Sequence, residues 1–537
     1  MVAEAQATPR AEPCRDGRPV MTTSRIAPSW QPGGHRDRLL SIRLRRPRVQ
    51  DAIIVAALFA TLCTGCAVGP DYRRPALPAT DSYTRAPLPA AIGSTTVGQD
   101  EQHLELGAKI TREWWTVFAS PALNALVQRA FAHNPSIQSA QAVLRQAQEN
   151  VTAQRGAYFP SVQLGYSPSR QKNAVGTVSP TLTSGEALYT LHTAQLSIAY
   201  APDVFGLNRR TVESLQAQAD AQRFQLEAAY LTLASNVVAA AVQEAALRAQ
   251  IDASKDIIAA DTRSLAILRQ QAVLGYASGL DVATQETALA QAQQSLPALQ
   301  KQLEQTRNLL AVLAGSLPSQ GGTEDFDLAS LQLPQALPLS LPSQLVEQRP
   351  DVRAAEAQVH AASAQVGVAV ANRLPQFSIS AMYGGSSTQF SRMFEDHNKF
   401  WGLTGNLAQT VLDFGTLKHR QRAAEAAWQQ SAAQYRGVVL TAFQNVADAL
   451  YALDADARAL SAAMQAEAAA EKTLGLVRKQ LDLGYVNALV LLNAEQAYQQ
   501  TKIARIQAQA ARFSDTAALV QSLGGSWQST ADTVSSG

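Results

Sequence analysis

The residues with the greatest chemical reach in this 537-residue chain are its three cysteines, Cys14, Cys63 and Cys66. A thiol can be a nucleophile, a metal ligand or a point of covalent attachment, and its surroundings decide which. Cys63-Thr64-Gly65-Cys66 has the gap of a redox dithiol. It closes an apolar run, residues 52–62, that follows Arg43, Arg45, Arg46 and Arg48. A basic stretch, a short apolar segment and small residues before a cut describe an export signal, which removes the dithiol reading. The run falls short of the roughly 18 to 20 residues that a membrane-crossing helix needs. Cleavage before Cys66 leaves one thiol at a new N-terminus, with no internal disulfide possible.

Thr64-Gly65-Cys66 resembles a bacterial lipobox, although Cys63 stands where such signals usually have Leu. The resemblance implies a diacylglycerol and an N-acyl chain on Cys66, and Ala67 after it implies sorting to the outer membrane. Met21 offers an alternative start for an otherwise overlong signal.

Other chemistry finds no footing. The seven His are scattered without metal-ligand spacing, and there is no HExxH, no GxSxG and no phosphate-cradling Gly-rich loop. An enzyme is not expected, nor a metal or other cofactor. The totals of 45 basic and 43 acidic residues lose 10 Arg and 5 acids with residues 1–65, leaving 35 against 38. A slightly acidic mature chain gives no reason to expect nucleic acid as a partner.

The segments that would position any site come in duplicate. Asn134-Pro135-Ser136-Ile137 aligns with Arg349-Pro350-Asp351-Val352, and Pro160 with Pro375, both prolines of each pair being 215 residues apart. Gly206, Gly275 and Gly315 recur 209 residues later as Gly415, Gly484 and Gly524. The offset changes only between Pro160 and Gly206, so the long segments have fixed length, as paired helices require. Residues 134–157 and 349–373 are Ala- and Gln-rich and predict helices that end at the prolines. Between Gly206 and Gly275 there is no Pro, and Leu226, Leu233, Ala240 and Leu247 recur at coiled-coil spacing, as do Ile251, Ile258 and Leu265. Nearly 70 helical residues reach roughly 100 Å at about 1.5 Å each, far beyond a bilayer. A return helix of about 40 residues follows each glycine turn. Pro334, Pro338 and Pro342 mark the linker between the repeats.

After each proline the period switches from 3.6 to 2. Val162, Leu164 and Tyr166 alternate with polar residues, as do Leu196 and Ile198, around a loop at 173–185. The second copy gives Phe377, Ile379, Ala381 and Tyr383, then Trp401, Leu403 and Leu407, around a loop expected to contain Gly384, Gly385 and Ser386. That makes four strands, too few to close a barrel, and an open edge in lipid strands backbone groups without partners. Eight strands fill their own interior, whereas three chains would supply twelve and a channel. Val162, Leu164, Tyr166, Leu196, Ile198, Phe377, Ile379 and Trp401 are the candidates for the lipid face.

Over roughly residues 62–527 the chain resembles the TolC-like outer-membrane factors, in particular their NodT-type lipoprotein branch. Cys66-Ala67-Val68-Gly69-Pro70-Asp71-Tyr72, Trp114-Trp115, Pro121-x-Leu123-x-x-Leu126, Asn134-Pro135, Phe159-Pro160, Asp203-x-Phe205-Gly206 and Arg349-Pro350-Asp351-Val352 carry the likeness. Leu523-Gly524-Gly525-Ser526-Trp527 and Asp413-Phe414-Gly415 are near matches, with Ser526 and Phe414 as departures. The resemblance implies a mainly α, duplicated fold whose four strands per chain form a twelve-stranded outer-membrane barrel in a homotrimer above a periplasmic α-helical barrel. It also implies a periplasmic adaptor protein and an inner-membrane RND pump as partners, with the chain as a passive exit duct for small molecules. Under it, the turns holding Gly275, Tyr276, Ser278 and Asp281, and Gly484, Tyr485 and Asn493, are the helical tips that meet the adaptor. Carboxylates are common at that constriction. Asp281 fits, but Val490 and Asn493 stand where further carboxylates are usual. A helix-start role for Asp281 is equally open. Two other readings stay open: the exit channel of a type I protein secretion system, and a lipid-anchored coiled-coil scaffold without a pore.

The expected organisation is a signal at 1–65, a lipidated N-terminal segment at 66–113, a first repeat at 114–325 and a second at 326–527, then a tail at 528–537. The hairpins are expected at about 160–202 and 375–412, and the tips at about 275–281 and 484–490.

Overall fold

The computed structural model describes residues 67–75, 80, 82–85, 91–92, 102–108, 110–111, 113–172, 188–320 and 324–525. The signal, Cys66, the first hairpin's loop and the C-terminal tail lie outside the described residues. Each repeat runs helix, hairpin, long helix, turn, return helix. The first has α1 (Pro121–His133), α2 (Pro135–Arg155), β3 (Ser161–Lys172), β4 (Leu188–Tyr200), α3 (Leu207–Val273) and α4 (Gly279–Leu313). The second has α5 (Pro342–Gln348), α6 (Pro350–Ala371), β6 (Gln376–Ser387), β7 (Lys399–Ala408), α7 (Thr416–Asp482) and α8 (Ala488–Ser522). The long helices α3 and α7 have 67 residues each and the return helices 35 each, so the duplication holds to the residue.

Helix starts follow from the sequence. Ser120 and Asn134 cap α1 and α2 by accepting the Leu123 and Ser136 amides, with Pro121 and Pro135 in the first turn where no N–H is missed. Asp203 accepts the Asn208 and Arg209 amides at 2.9 and 2.8 Å at the start of α3. Asp413 does the same for Gly415 and Leu417 before α7, and those amides hold its carboxyl below the usual carboxylate range. Leu233, Ala240, Leu247, Ile251 and Leu265 of the heptad line are buried, and the main core gathers residues from α1, α3, α4, α6, α7 and α8. Among the described residues no helix is long and apolar enough to cross a membrane.

The linker between the repeats carries a strand that the sequence did not announce: β5 (Ala336–Leu339) pairs in parallel with β2 (Gln102–Leu106), which pairs with β1 (Ala91–Ile92), forming a small sheet of order β1-β2-β5. Pro338 is tolerated because β5 is an edge strand, where one proline N–H is not missed. One expectation needs correcting: Gly384, Gly385 and Ser386 are not loop residues but part of β6. A Cβ at Gly384 would sit 2.4 Å from the Ala194 carbonyl oxygen, and one at Gly385 2.0 Å from that of Met393, so the glycines admit close neighbours on both.

Candidate functional site

The second sheet has order β3-β4-β6-β7, antiparallel throughout, with β3 and β7 as its edges. Directly paired residues share a face. Val162 pairs with Ile198 and Leu164 with Leu196. Leu196 then pairs with Tyr383 and Tyr200 with Ile379, while Tyr383 pairs with Trp401 and Phe377 with Leu407. All eight residues proposed for the lipid face therefore lie on one side of one sheet, joined there by Tyr383, Leu403 and Leu407. That side is bare: Leu164 is 82% and Trp401 78% exposed, with Ile198 the most covered of the eight. The opposite side carries Gln163, Gln195, Ser197, Ser380, Thr404 and Asn406. Strands of 10 to 13 residues suit the roughly 9 to 11 that a tilted membrane strand needs. An apolar band outside and a polar one inside is the arrangement a bilayer selects in a water-filled barrel.

At the far end of the long helices the two turns are built alike. Gly275 and Gly484 have φ of +82° and +75°, and the amides of Tyr276 and Tyr485 reach back 2.8 and 2.9 Å to Gln271 and Gln480. This left-handed C-terminal cap satisfies carbonyls the helix would leave open. The return helices start differently. Ser278 caps α4 in a reciprocal box with Asp281, whose carboxylate accepts from the Ser278 amide and hydroxyl at 2.9 and 2.7 Å. Those two bonds hold the Asp281 carboxyl below the usual range, the hydroxyl contributing most. Asn487 takes the Ser278 position for α8, accepting from the Val490 amide at 3.2 Å. Asp281 is therefore engaged in capping, and Val490 leaves the second tip with no matching carboxylate. Asn493 is exposed two residues before the buried Glu495. Tyr276 is 83% and Tyr485 79% exposed, and Leu274, Leu280 and Leu483 are exposed beside them.

The sequence profile of the outer membrane efflux proteins matches residues 126–316 and 341–525. The chain belongs to the outer membrane efflux protein family. It is similar to the pyoverdine export outer membrane protein OpmQ of Pseudomonas putida, 30% identical over 424 residues, covering 79% of this chain and 90% of that one. It is 27% identical to the outer membrane protein OprJ of Pseudomonas aeruginosa over 90% of this chain and 97% of that one. Among solved structures, the outer-membrane channel OprN superposes with a TM-score of 0.76 at 26% identity, over 86% of this chain and all of the other. The fold is the duplicated TolC-like one, and the chain is the outer-membrane channel component of an efflux system.

The Arg349-Pro350-Asp351 motif of this efflux protein is a staple. Arg349 grips Asp351 with two bonds, 3.0 and 2.7 Å, and donates to the Ser522 carbonyl at 2.6 Å, tying the start of α6 to the end of α8. In the first repeat Asn134 donates to the Leu313 carbonyl at 2.9 Å, and Leu313 and Ser522 are 209 residues apart. What sequence reasoning missed is the clamp on the N-terminal segment. The buried Arg210 donates to the Val68 carbonyl at 3.1 Å, to Asp71 at 2.8 Å and to Glu213 at 2.8 Å. Tyr72 stacks on His360 at 4.3 Å and donates to Glu356, while Gly69, at φ +98°, leaves no room for a Cβ against Gly367. Arg210 sits in an otherwise unremarked stretch of helix, so only the Val68–Tyr72 motif hinted at a partner.

Proposed function

We propose that three copies of this chain close one twelve-stranded pore in the outer membrane, each held by lipid on Cys66, as the passive exit duct of a tripartite RND-type efflux system. The sheet carries this reading: an apolar face, a polar face and two open edges on four strands, which lipid tolerates only when the sheet is closed. A periplasmic adaptor protein and an inner-membrane RND pump complete the system. The exposed aromatic and aliphatic residues at both tips, around Tyr276 and Tyr485, are the surface for the adaptor. Relatives are named for pyoverdine, toluene and cations, cargoes with little chemistry in common, so selection falls to the pump and small molecules of several kinds are the cargo class.

Support for the anchor comes from the residue after Cys66. Ala67 lies against Gly206, where a Cβ would be 2.9 Å from the Ala67 Cα, and the Val68 amide donates to the Phe205 carbonyl at 3.3 Å. This is the junction where β4 gives way to α3, the level at which a barrel leaves the bilayer. One residue upstream, an acyl chain would enter the membrane directly. Cys66→Ser is expected to abolish incorporation of labelled palmitate while leaving a folded chain, and continued labelling would refute the anchor. For the duct, ion conductance across planar bilayers holding the purified protein is the test. Conductance steps are expected, and their complete absence from correctly assembled protein would favour a scaffold without a pore.

A further inference from the structure

Charge is placed on the four-stranded sheet with a strict bias. Apart from His192, its strands contain three ionisable side chains of the charged types, Arg170, Lys172 and Lys399, and all three are cations. Arg170 and Lys172 stand four and six residues beyond Tyr166 on β3, and Lys399 two residues before Trp401 on β7. By the alternation of a strand, all three share the apolar side. The opposite side carries Ser169 and Gln171 at the same level of β3. All three cations also lie at the end of the sheet away from the long helices. They are past the row in which Trp401, Tyr383, Leu196 and Leu164 pair across the strands.

The second hairpin's loop folds to the same side. The Phe390 ring stands perpendicular to those of Tyr166 and His192, at 5.8 and 6.0 Å. Those two are stacked, and a 2.8 Å hydrogen bond joins the Tyr166 hydroxyl to His192 Nδ1. A Cβ at Gly385 would lie 2.0 Å from the Met393 carbonyl oxygen and 3.2 Å from the Phe394 ring. Gly385 pairs with Ala194 and Ala194 with Tyr166, so residues 388–398 lie against the apolar side of the sheet. Met393 is buried there, whereas Phe390 and Phe394 are 62% and 57% exposed. The loop answers its own cations, with Asp396 2.8 Å from Lys399 and Glu395 beside Arg392. Arg170 and Lys172 are exposed and have no ion-pair partner among the described residues.

We propose that the outer end of this face binds a phosphorylated lipid headgroup, with Arg170 and Lys172 meeting its phosphates and the rings of Tyr166, His192 and Phe390 packing on the lipid below them. A cation on the lipid side of a strand is costly unless it reaches headgroup level, where an anion stabilises it. Arg170 lies roughly 14 Å past Tyr166 at about 3.4 Å per residue, beyond the aromatic row that marks the interface. Arg offers a planar fork that matches a phosphate and Lys a point charge, so a headgroup with more than one phosphate gains most. The cations stand above an open apolar wall and not in a closed pocket, which suits a lipid and not a free phosphate ion. The inference rests on the lipid-facing reading of the apolar side and adds what that side recognises in the outer leaflet.

The test places the full chain in phosphatidylcholine bilayers that contain lipid A with two phosphates, or the same lipid A with one. Native mass spectrometry then reads the lipid A retained when the bilayer is removed. The parent is expected to retain the bisphosphorylated form more strongly. Arg170→Gln with Lys172→Gln is expected to retain it roughly tenfold less, with the preference between the two forms gone. Both side chains are exposed, so the variant keeps its fold. Equal retention of the two forms by the parent, or no change in the variant, would overturn the headgroup site. Displacement of the lipid by inorganic phosphate alone would also overturn it, by showing a phosphate site that needs no lipid. Quenching of Trp401 fluorescence by brominated lipid, measured against Trp401→Phe, separates this from the reading beneath it. Quenching without a phosphate preference sinks the site alone, whereas no quenching sinks the lipid-facing side itself.

Discussion

Arg349 shows how a single side chain can hold two distant parts of the chain in one geometry. Its planar fork meets both oxygens of Asp351 and still reaches the Ser522 carbonyl, which a lysine's single ammonium cannot reproduce. Arg349→Lys is expected to lower stability by about 2 kcal/mol, read as a shift in thermal unfolding, because a buried carbonyl loses its charged donor. Asp515 sets a second, pH-dependent expectation. Burial, then the neighbouring Asp456, pushes its carboxyl up from 3.8 to about 6. The native state therefore binds this proton more tightly than the unfolded chain, so its stabilising effect is present below about pH 4 and is lost as pH rises to about 6. Asp515→Asn is expected to flatten that fall, with a higher melting temperature than the parent at pH 8 and little difference at pH 4. Equal melting shifts at both values would show that the carboxyl is not protonated in the fold. Arg349 stood out in the sequence through its motif. Asp515 did not, since its neighbour Asp456 lies on the other helix of the pair and only packing brings them together.

The helical tips depend on backbone more than on side chains. Gly275 and Gly484 occupy left-handed conformations that cost an L-residue roughly 1 kcal/mol or more. Gly484→Ala is expected to leave the 67-residue helix intact and to loosen its last turn, seen as faster hydrogen exchange at the Tyr485 amide, which bonds to Gln480. Unchanged exchange would place the turn's rigidity elsewhere. Glycines at matching offsets, breaker-free helical runs and the switch to period 2 made the helices, hairpins and tips legible from the sequence. The small sheet of β1, β2 and β5 was not, because its strands have two, five and four residues and one contains Pro338. Strands so short carry almost no periodicity, and the pairing of β2 with β5 joins positions more than 200 residues apart. The capping role of Asp281 also waited on geometry, since gate and cap both call for a carboxylate at a helix start, and its bonds to Ser278 establish the cap.

The whole molecule is best understood as half of a structure repeated and then left open. The sheet ends in the unpaired edges of β3 and β7, and Phe414, the counterpart of the packed Phe205, is 92% exposed. The shared side of the eight apolar strand residues was readable residue by residue because successive side chains of a strand alternate between its two faces. The number of copies follows from how many strands a channel needs, together with the family's likeness. Native mass spectrometry of the mature protein extracted from membranes counts the subunits outright. Three chains, each with its lipid, is the expected result, and a monomer or dimer as the largest species would contradict a shared twelve-stranded pore.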